Sequence, residues 1–199
     1  MRLLYLHGFR SSPLSHKAQI MAARVRAAQA RGVQIDWHCP QLPPSPAQAF
    51  ADTMQWVRAG DAAQPLAVVG SSLGGFYAAL VAEHVQSRCV LLNPAVFAAR
   101  DLAAHIGRIK NWHDAGDFEF TQKHVDEVRV LQTTAFTQPE RYLAIISKGD
   151  EVLDWREMTA RYPAAHSLLL EGSDHAISGF EAYADSVLDF CLNGSPTAR

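Results

Sequence analysis

Leu66-Ala67-Val68-Val69-Gly70-Ser71-Ser72-Leu73-Gly74-Gly75 reads as a strand, a tight turn and the start of a helix. The apolar run stops at Gly70. Just past Ser72 begins Leu73 to Val85, apolar nearly all round and long enough for a helix packed on both sides. The turn holds Gly-x-Ser-x-Gly, with Gly70, Ser72 and Gly74 in the fixed places. A serine at so sharp a strand-to-helix turn is held in strained backbone geometry, its hydroxyl lifted over the sheet edge. Side chains two residues to either side would collide there, so both places call for glycine. The helix start leaves free N–H groups and a positive dipole end beside the serine, and the Leu73 amide is placed to donate to an oxyanion. Ser71 is the rival nucleophile but lacks the flanking glycines. A purely structural glycine turn is the plainer alternative. A phosphate-cradling loop fails, because no Lys-Ser/Thr follows and Gly-x-Gly-x-x-Gly is absent.

Five more short apolar runs lie around this one: Leu3 to Leu6, Val33 to Trp37, Cys89 to Leu92, Leu143 to Ile146 and Ser167 to Leu170. Near-continuous runs of this length read as buried parallel strands. Helical spacing fills most gaps between them, in Ser15 to Ala30, Pro46 to Arg58 and Phe180 to Leu192. Alternating strand and helix predicts an α/β fold of about six parallel strands, with helices on both faces of the sheet. The exception is 96–139, far longer than a crossover needs. Its Ile106, Ile109, Trp112, Phe118, Phe120 and Phe136 argue against disorder, so it is read as a lid-like insert within a single domain of residues 1–199. Those aromatics offer a substrate pocket or, as plainly, packing on the sheet. Pro40 to Pro46 reads as a strand-to-helix loop ending in a proline of the first helical turn.

A serine hydroxyl needs a base, and the base needs a carboxylate to fix its tautomer. In this chain order an acid follows a later strand and a histidine comes near the C-terminus. Leu143 to Ile146 runs into Asp150, and Leu168 to Leu170 runs into His175, both at carboxyl ends of strands, where open α/β sheets carry their sites. Asp154 competes with Asp150 but reads as the cap of the next helix. Asp174 adjoins His175 and points away. Of nine histidines, His16, His84, His105 and His124 fall in helical or insert segments, and His38 and His166 flank strands without a carboxylate in order. His7 and Gly8 close the first strand in the kind of turn that supplies a second oxyanion amide, here that of Phe9, with His7 as scaffolding. No His-x-x-Glu-His or His-Glu-x-x-His spacing occurs, so neither metal nor cofactor is expected.

The chain has 199 residues, 48% hydrophobic and 19% charged, ample for a full core. Lys+Arg is 18 and Asp+Glu is 20, a net charge of −2, which argues against nucleic acid or an anionic membrane surface as partner. The three cysteines, Cys39, Cys89 and Cys191, are widely spaced without a CxxC and suggest free thiols in a reducing compartment. Neither a leader peptide nor a membrane span is expected, so the protein is read as cytoplasmic.

The sequence resembles the small bacterial YqiA/YcfP-type esterases of the α/β-hydrolase superfamily. The matching blocks are Tyr5-Leu6-His7-Gly8-Phe9 with Ser11-Ser12-Pro13, Pro40-Gln41-Leu42-Pro43-Pro44, Gly70 to Gly75, Asn93-Pro94-Ala95-Val96, Gly149 to Asp154, and His175 to Glu181. Between Phe97 and Arg141 no block matches. The resemblance implies a compact hydrolase fold trimmed of the two leading strands of larger relatives. It also implies a hydrolase acting on carboxylic esters, acyl thioesters among them, as small-molecule substrates, with Ser72 as nucleophile, His175 as base and Asp150 as acid. An acyl-CoA thioesterase is the nearest rival, with Arg10 and Lys17 as its thin basic patch. A binding module that kept the fold is the rival from another class.

Overall fold

The computed structural model describes residues 1–110, 117–133 and 135–194. Trp112, named above among the insert's aromatics, lies outside them. Six strands form one parallel sheet: β1 (Arg2–Leu6), β2 (Asp36–His38), β3 (Leu66–Ser71), β4 (Arg88–Leu92), β7 (Tyr142–Ser147) and β8 (His166–Leu170). Their order across the sheet is β2-β1-β3-β4-β7-β8, every neighbour parallel. The four central strands are buried on both faces, which is why each reads as an unbroken apolar run.

Alternation along each strand divides the core in two. Leu3, Tyr5, Val69, Val90 and Ile145 face one layer, with α1 (His16–Ala30) and α7 (Glu181–Asn193). Leu4, Leu6, Val68, Leu91 and Ile146 face the other, with α2 (Pro46–Ala59), α3 (Leu73–Val85) and α6 (Trp155–Arg161). Helix α3 lies between the sheet and further helices, and Leu73 through Ala82 are all buried. The Pro40 to Pro46 loop ends as expected, with Pro46 in the first turn of α2 and Ser45 capping it by accepting from the Gln48 amide (3.3 Å).

The second strand departs from expectation. Val33 to Trp37 was the apolar run, yet β2 starts only at Asp36. The Val33 amide is spent on the Ala28 carbonyl (3.1 Å) as α1 unwinds through Gly32, whose φ is +89°. Pairing with β1 begins where Asp36 meets Arg2.

Within 96–139 lie α4 (Ala98–Ala103), an antiparallel hairpin of β5 (Gly107–Lys110) and β6 (Asp117–Phe120), and α5 (Gln122–Leu131). Point contacts fasten this segment. Glu127 of α5 accepts from the Ser45 hydroxyl (2.7 Å) and the Ala47 amide (3.2 Å) at the start of α2. Arg100 of α4 grips Glu157 of α6 through two bonds of 2.7 Å. The aromatics split between two tasks. Phe136 packs on Tyr142 and Tyr162 (ring centroids 5.0 and 5.3 Å) as ordinary core. Phe118 and Phe120 meet Phe9 edge-on at 6.3 and 5.1 Å.

Candidate active site

Strand β3 enters the turn at Gly70, and Ser72 turns it in the left-handed region, φ +56° and ψ −121°. Such a conformation costs a non-glycine residue about 1–3 kcal/mol and persists only where the surroundings enforce it. Here the Ser72 amide donates to the Leu92 carbonyl (3.0 Å), and the Ser72 carbonyl accepts from Gly75 (2.8 Å) and Ala95 (3.0 Å). Room is the reason for the glycines. A Cβ on Gly70 would lie 2.2 Å from the Gly74 carbonyl oxygen, and one on Gly74 would lie 1.9 Å from that of Leu6. Both obstacles are backbone and cannot swing aside. Gly74→Ala is expected to cost about 3 kcal/mol, or roughly 6–12 °C in Tm, read by thermal melting followed by circular dichroism. A Tm within about 2 °C of wild type would mean that the chain relaxes around the methyl.

Ser72, Asp150 and His175 are far apart in sequence and meet above the carboxyl ends of the sheet. The His175 Nε2 lies 3.0 Å from the Ser72 Oγ, and its Nδ1 lies 2.7 Å from the Asp150 Oδ2. With Nδ1–H donating to the carboxylate, Nε2 keeps its lone pair for the serine hydroxyl, which donates to it. The Asp150 side chain is fully buried, and its Oδ1 accepts from the amides of Val152 and Leu153 (2.8 Å each). The carboxylate therefore has no freedom to turn away from the ring.

The competing residues sit elsewhere. Asp154 caps α6, accepting from the Arg156 amide (2.9 Å). Asp174 folds onto its own loop, accepting from the Ser178 amide and hydroxyl (2.9 and 2.7 Å). Ser71 is buried at the end of β3. His38 stacks on Trp56 at 4.5 Å, with its pKa lowered mainly by burial, and His124 caps α5 by accepting from the Thr121 amide (2.9 Å).

Beside the serine runs the loop that ends β1. A Cβ on Gly8 would come 3.2 Å from the Ser72 Cβ and 3.7 Å from its Oγ, so this backbone lies directly beside the serine side chain. His7, nearly fully buried, donates through Nδ1 to the Gly8 carbonyl (3.0 Å) and accepts the Leu42 amide on Nε2 (3.1 Å), tying this loop to the proline loop. Among the described residues neither the Phe9 nor the Leu73 amide has a hydrogen-bond acceptor within the protein. A cleft of about 40 Å³ opens next to both, lined by Phe9, Arg10, Pro44, Leu73, Tyr77 and Phe118 among others. Among the described residues no three His, Cys, Asp or Glu side chains converge as a metal cluster would require, and no helix is long and apolar enough to cross a membrane.

Three residues reach the same site without a catalytic role legible in sequence. Lys17 points inward to the His175 loop, which takes it out of any basic patch, whereas Arg10 stays at the cleft and bonds the Lys110 carbonyl (2.9 Å). Asn93, fully buried just past β4 with φ +43°, and Glu151, next to Asp150, reach that loop too. The signal in the sequence for Asn93 is its place in the Asn93-Pro94-Ala95-Val96 block directly after a strand, which assigns it no role.

Solved structures share this architecture. Est1E from Butyrivibrio proteoclasticus superposes with a TM-score of 0.69 at 13% identity, covering 97% of this chain and 87% of its own. Alpha/beta hydrolase domain-containing protein 10 from mouse gives 0.67 at 14% identity, covering 94% and 89%. Methylketone synthase I from tomato gives 0.69 at 11% identity, covering 98% of each chain. At such identities the likeness establishes the fold, that of the α/β-hydrolase superfamily. The family assignment is direct: residues 2–192 match the model of the uncharacterised protein family UPF0227, the YqiA/YcfP family, and the chain belongs to it.

Proposed function

We propose that the protein is a serine hydrolase of carboxylic esters, with Ser72 as nucleophile, His175 as general base and acid, and Asp150 as the carboxylate that orients the imidazole. The observation that carries this reading is the hydrogen-bonded chain from Asp150 through His175 to Ser72, at 2.7 and 3.0 Å, beside two amides that have no acceptor among the described residues. His175 takes the Ser72 proton as Oγ attacks the carbonyl carbon. The amides of Phe9 and Leu73 receive the oxyanion, a contribution of about 3 kcal/mol per donor in comparable sites. His175 then gives that proton to the departing alcohol. Water attacks the acyl-enzyme, loses its proton to the same Nε2, and the acid leaves as Ser72 recovers its hydroxyl.

The insert covers this cleft, with Phe118 and Phe120 as its inner wall, and the chain is one domain around it. No cofactor or metal takes part. The substrate is a small-molecule acyl ester. On this fold Est1E has been solved with ferulic acid bound, and LipS and LipT are lipolytic enzymes. Three free thiols fit a cytoplasmic setting. The inward turn of Lys17 removes half of the basic patch that an acyl-CoA thioesterase reading relied on. The test is hydrolysis of p-nitrophenyl esters of increasing chain length, with CoA thioesters in parallel, together with fluorophosphonate labelling mapped by peptide mass spectrometry. Labelling at Ser72 with turnover of at least one ester series is expected. No labelling and no turnover would leave a binding protein on a hydrolase fold.

A further inference from the structure

The His175 loop, residues 171–180, joins β8 to α7 and belongs to no helix or strand. Asp150 fixes the ring of His175 but not the backbone that carries the ring. That backbone is held by three side chains from three separate places. Glu151 Oε2 accepts the His175 amide at 3.0 Å. The His175 carbonyl accepts from Lys17 Nζ at 3.3 Å and from Asn93 Nδ2 at 3.1 Å. The neighbouring carbonyls are taken by the same two donors, Asp174 by Asn93 at 3.0 Å and Ala176 by Lys17 at 2.8 Å. Asn93 is anchored in turn, accepting the Ser147 amide on its Oδ1 at 2.8 Å.

Lys17 has no local reason to be there. It lies in the first turn of α1, the positive end of the helix dipole, where no acidic residue accompanies it. Burial lowers its pKa to about 8, against the opposing pull of Asp174 and Asp150, so its charge is poorly solvated. Its ammonium spans from α1 to a loop 158 residues away and ends on the carbonyls of His175 and Ala176. The contacts fall on the base itself and its next neighbour, not on the core.

Resting on the hydrolase reading above, we propose that Lys17, together with Asn93 and Glu151, is a positioning residue that clamps the His175 backbone so that Nε2 stays within reach of the Ser72 hydroxyl. A displacement of the base by about 1 Å is enough to cost on the order of 100-fold in rate.

The test compares wild type with Lys17→Met, Lys17→Arg and Glu151→Ala. Methionine keeps the apolar stem and loses the donors; arginine keeps a cation that reaches both carbonyls. With p-nitrophenyl acetate, Lys17→Met is expected to lower kcat about 10- to 100-fold with KM within about twofold, and the rate of fluorophosphonate labelling falls in step. Lys17→Arg recovers most of the loss. Glu151→Ala, at an exposed position, lowers kcat at least about fivefold and carries the test where Lys17→Met does not fold. The kcat is expressed per labelled Ser72, so a lower folded fraction does not mimic the effect. Wild-type kcat per labelled site in Lys17→Met, or in Glu151→Ala where it stands in, overturns the proposal, whatever happens to Tm. Should wild type itself fail to label at Ser72, the hydrolase reading has failed. The clamp is then read from hydrogen exchange of the 174–176 amides, which speeds up in the variants if the clamp exists and is unchanged if it does not.

Discussion

Ser72→Ala is expected to lower kcat on p-nitrophenyl acetate by about 10⁶-fold and to abolish fluorophosphonate labelling. The substitution removes one oxygen and little else. Alanine and serine share the same Cβ, so the left-handed backbone at φ +56° is no harder to adopt, and the Ser72 hydroxyl caps nothing in α3. The fold therefore survives while the attacking atom is gone. What remains is binding of the carbonyl by two amides, which in comparable enzymes leaves a residual 10³- to 10⁴-fold advantage over water. Activity within about tenfold of wild type, or a label moved to Ser71, would remove Ser72 from the mechanism. Ser71 is buried at the strand end, which speaks against its taking over.

Asp150→Asn is expected to lower kcat by about 10⁴-fold, and Asp154→Asn to leave it within about twofold. The asparagine oxygen still accepts the amides of Val152 and Leu153, so the loop keeps its shape. Its NH₂ now faces the His175 Nδ1 and donates where the carboxylate accepted. The imidazole must then carry its proton on Nε2, where it can no longer receive one from Ser72. At position 154 asparagine caps a helix about as well as aspartate, and the side chain there lies on α6, away from the ring. Parallel kinetics of the two variants under one set of conditions reads the difference directly. Equal losses in both would point to loop stability instead of tautomer control.

Most of the sheet was legible because its central strands are covered on both faces, and covering leaves runs of apolar residues that no helix period disturbs. β2 was displaced, since an edge strand is defined by its partner's register, and Gly32 with Val33 had already been drawn into the end of α1. Elements α4, β5, β6 and α5 were not separable in sequence. Each is short, and each takes its burial from another segment, as Phe120 does from Phe9 and Glu127 from the start of α2. The Gly-x-Ser-x-Gly turn points to Ser72, and chain order points to Asp150 and His175, because strand ends gather on one side of a parallel sheet. Asp154 competes with Asp150 by sequence position alone, and its bond from the Arg156 amide places it on the cap of α6. The contacts of Lys17 are not legible in sequence. A lysine on a helix reads as a solvated charge, and only a loop from the far end of the chain reveals what its ammonium touches.

Phe9 belongs to two structures at once. In the mechanism proposed above its amide receives the oxyanion, and its ring is the surface on which Phe118, Phe120 and His105 come to rest. If the proposed mechanism holds, any ligand bulky enough to lift those rings would tug on the peptide unit assigned to developing charge, and the choice of guest and the speed of reaction would be coupled traits.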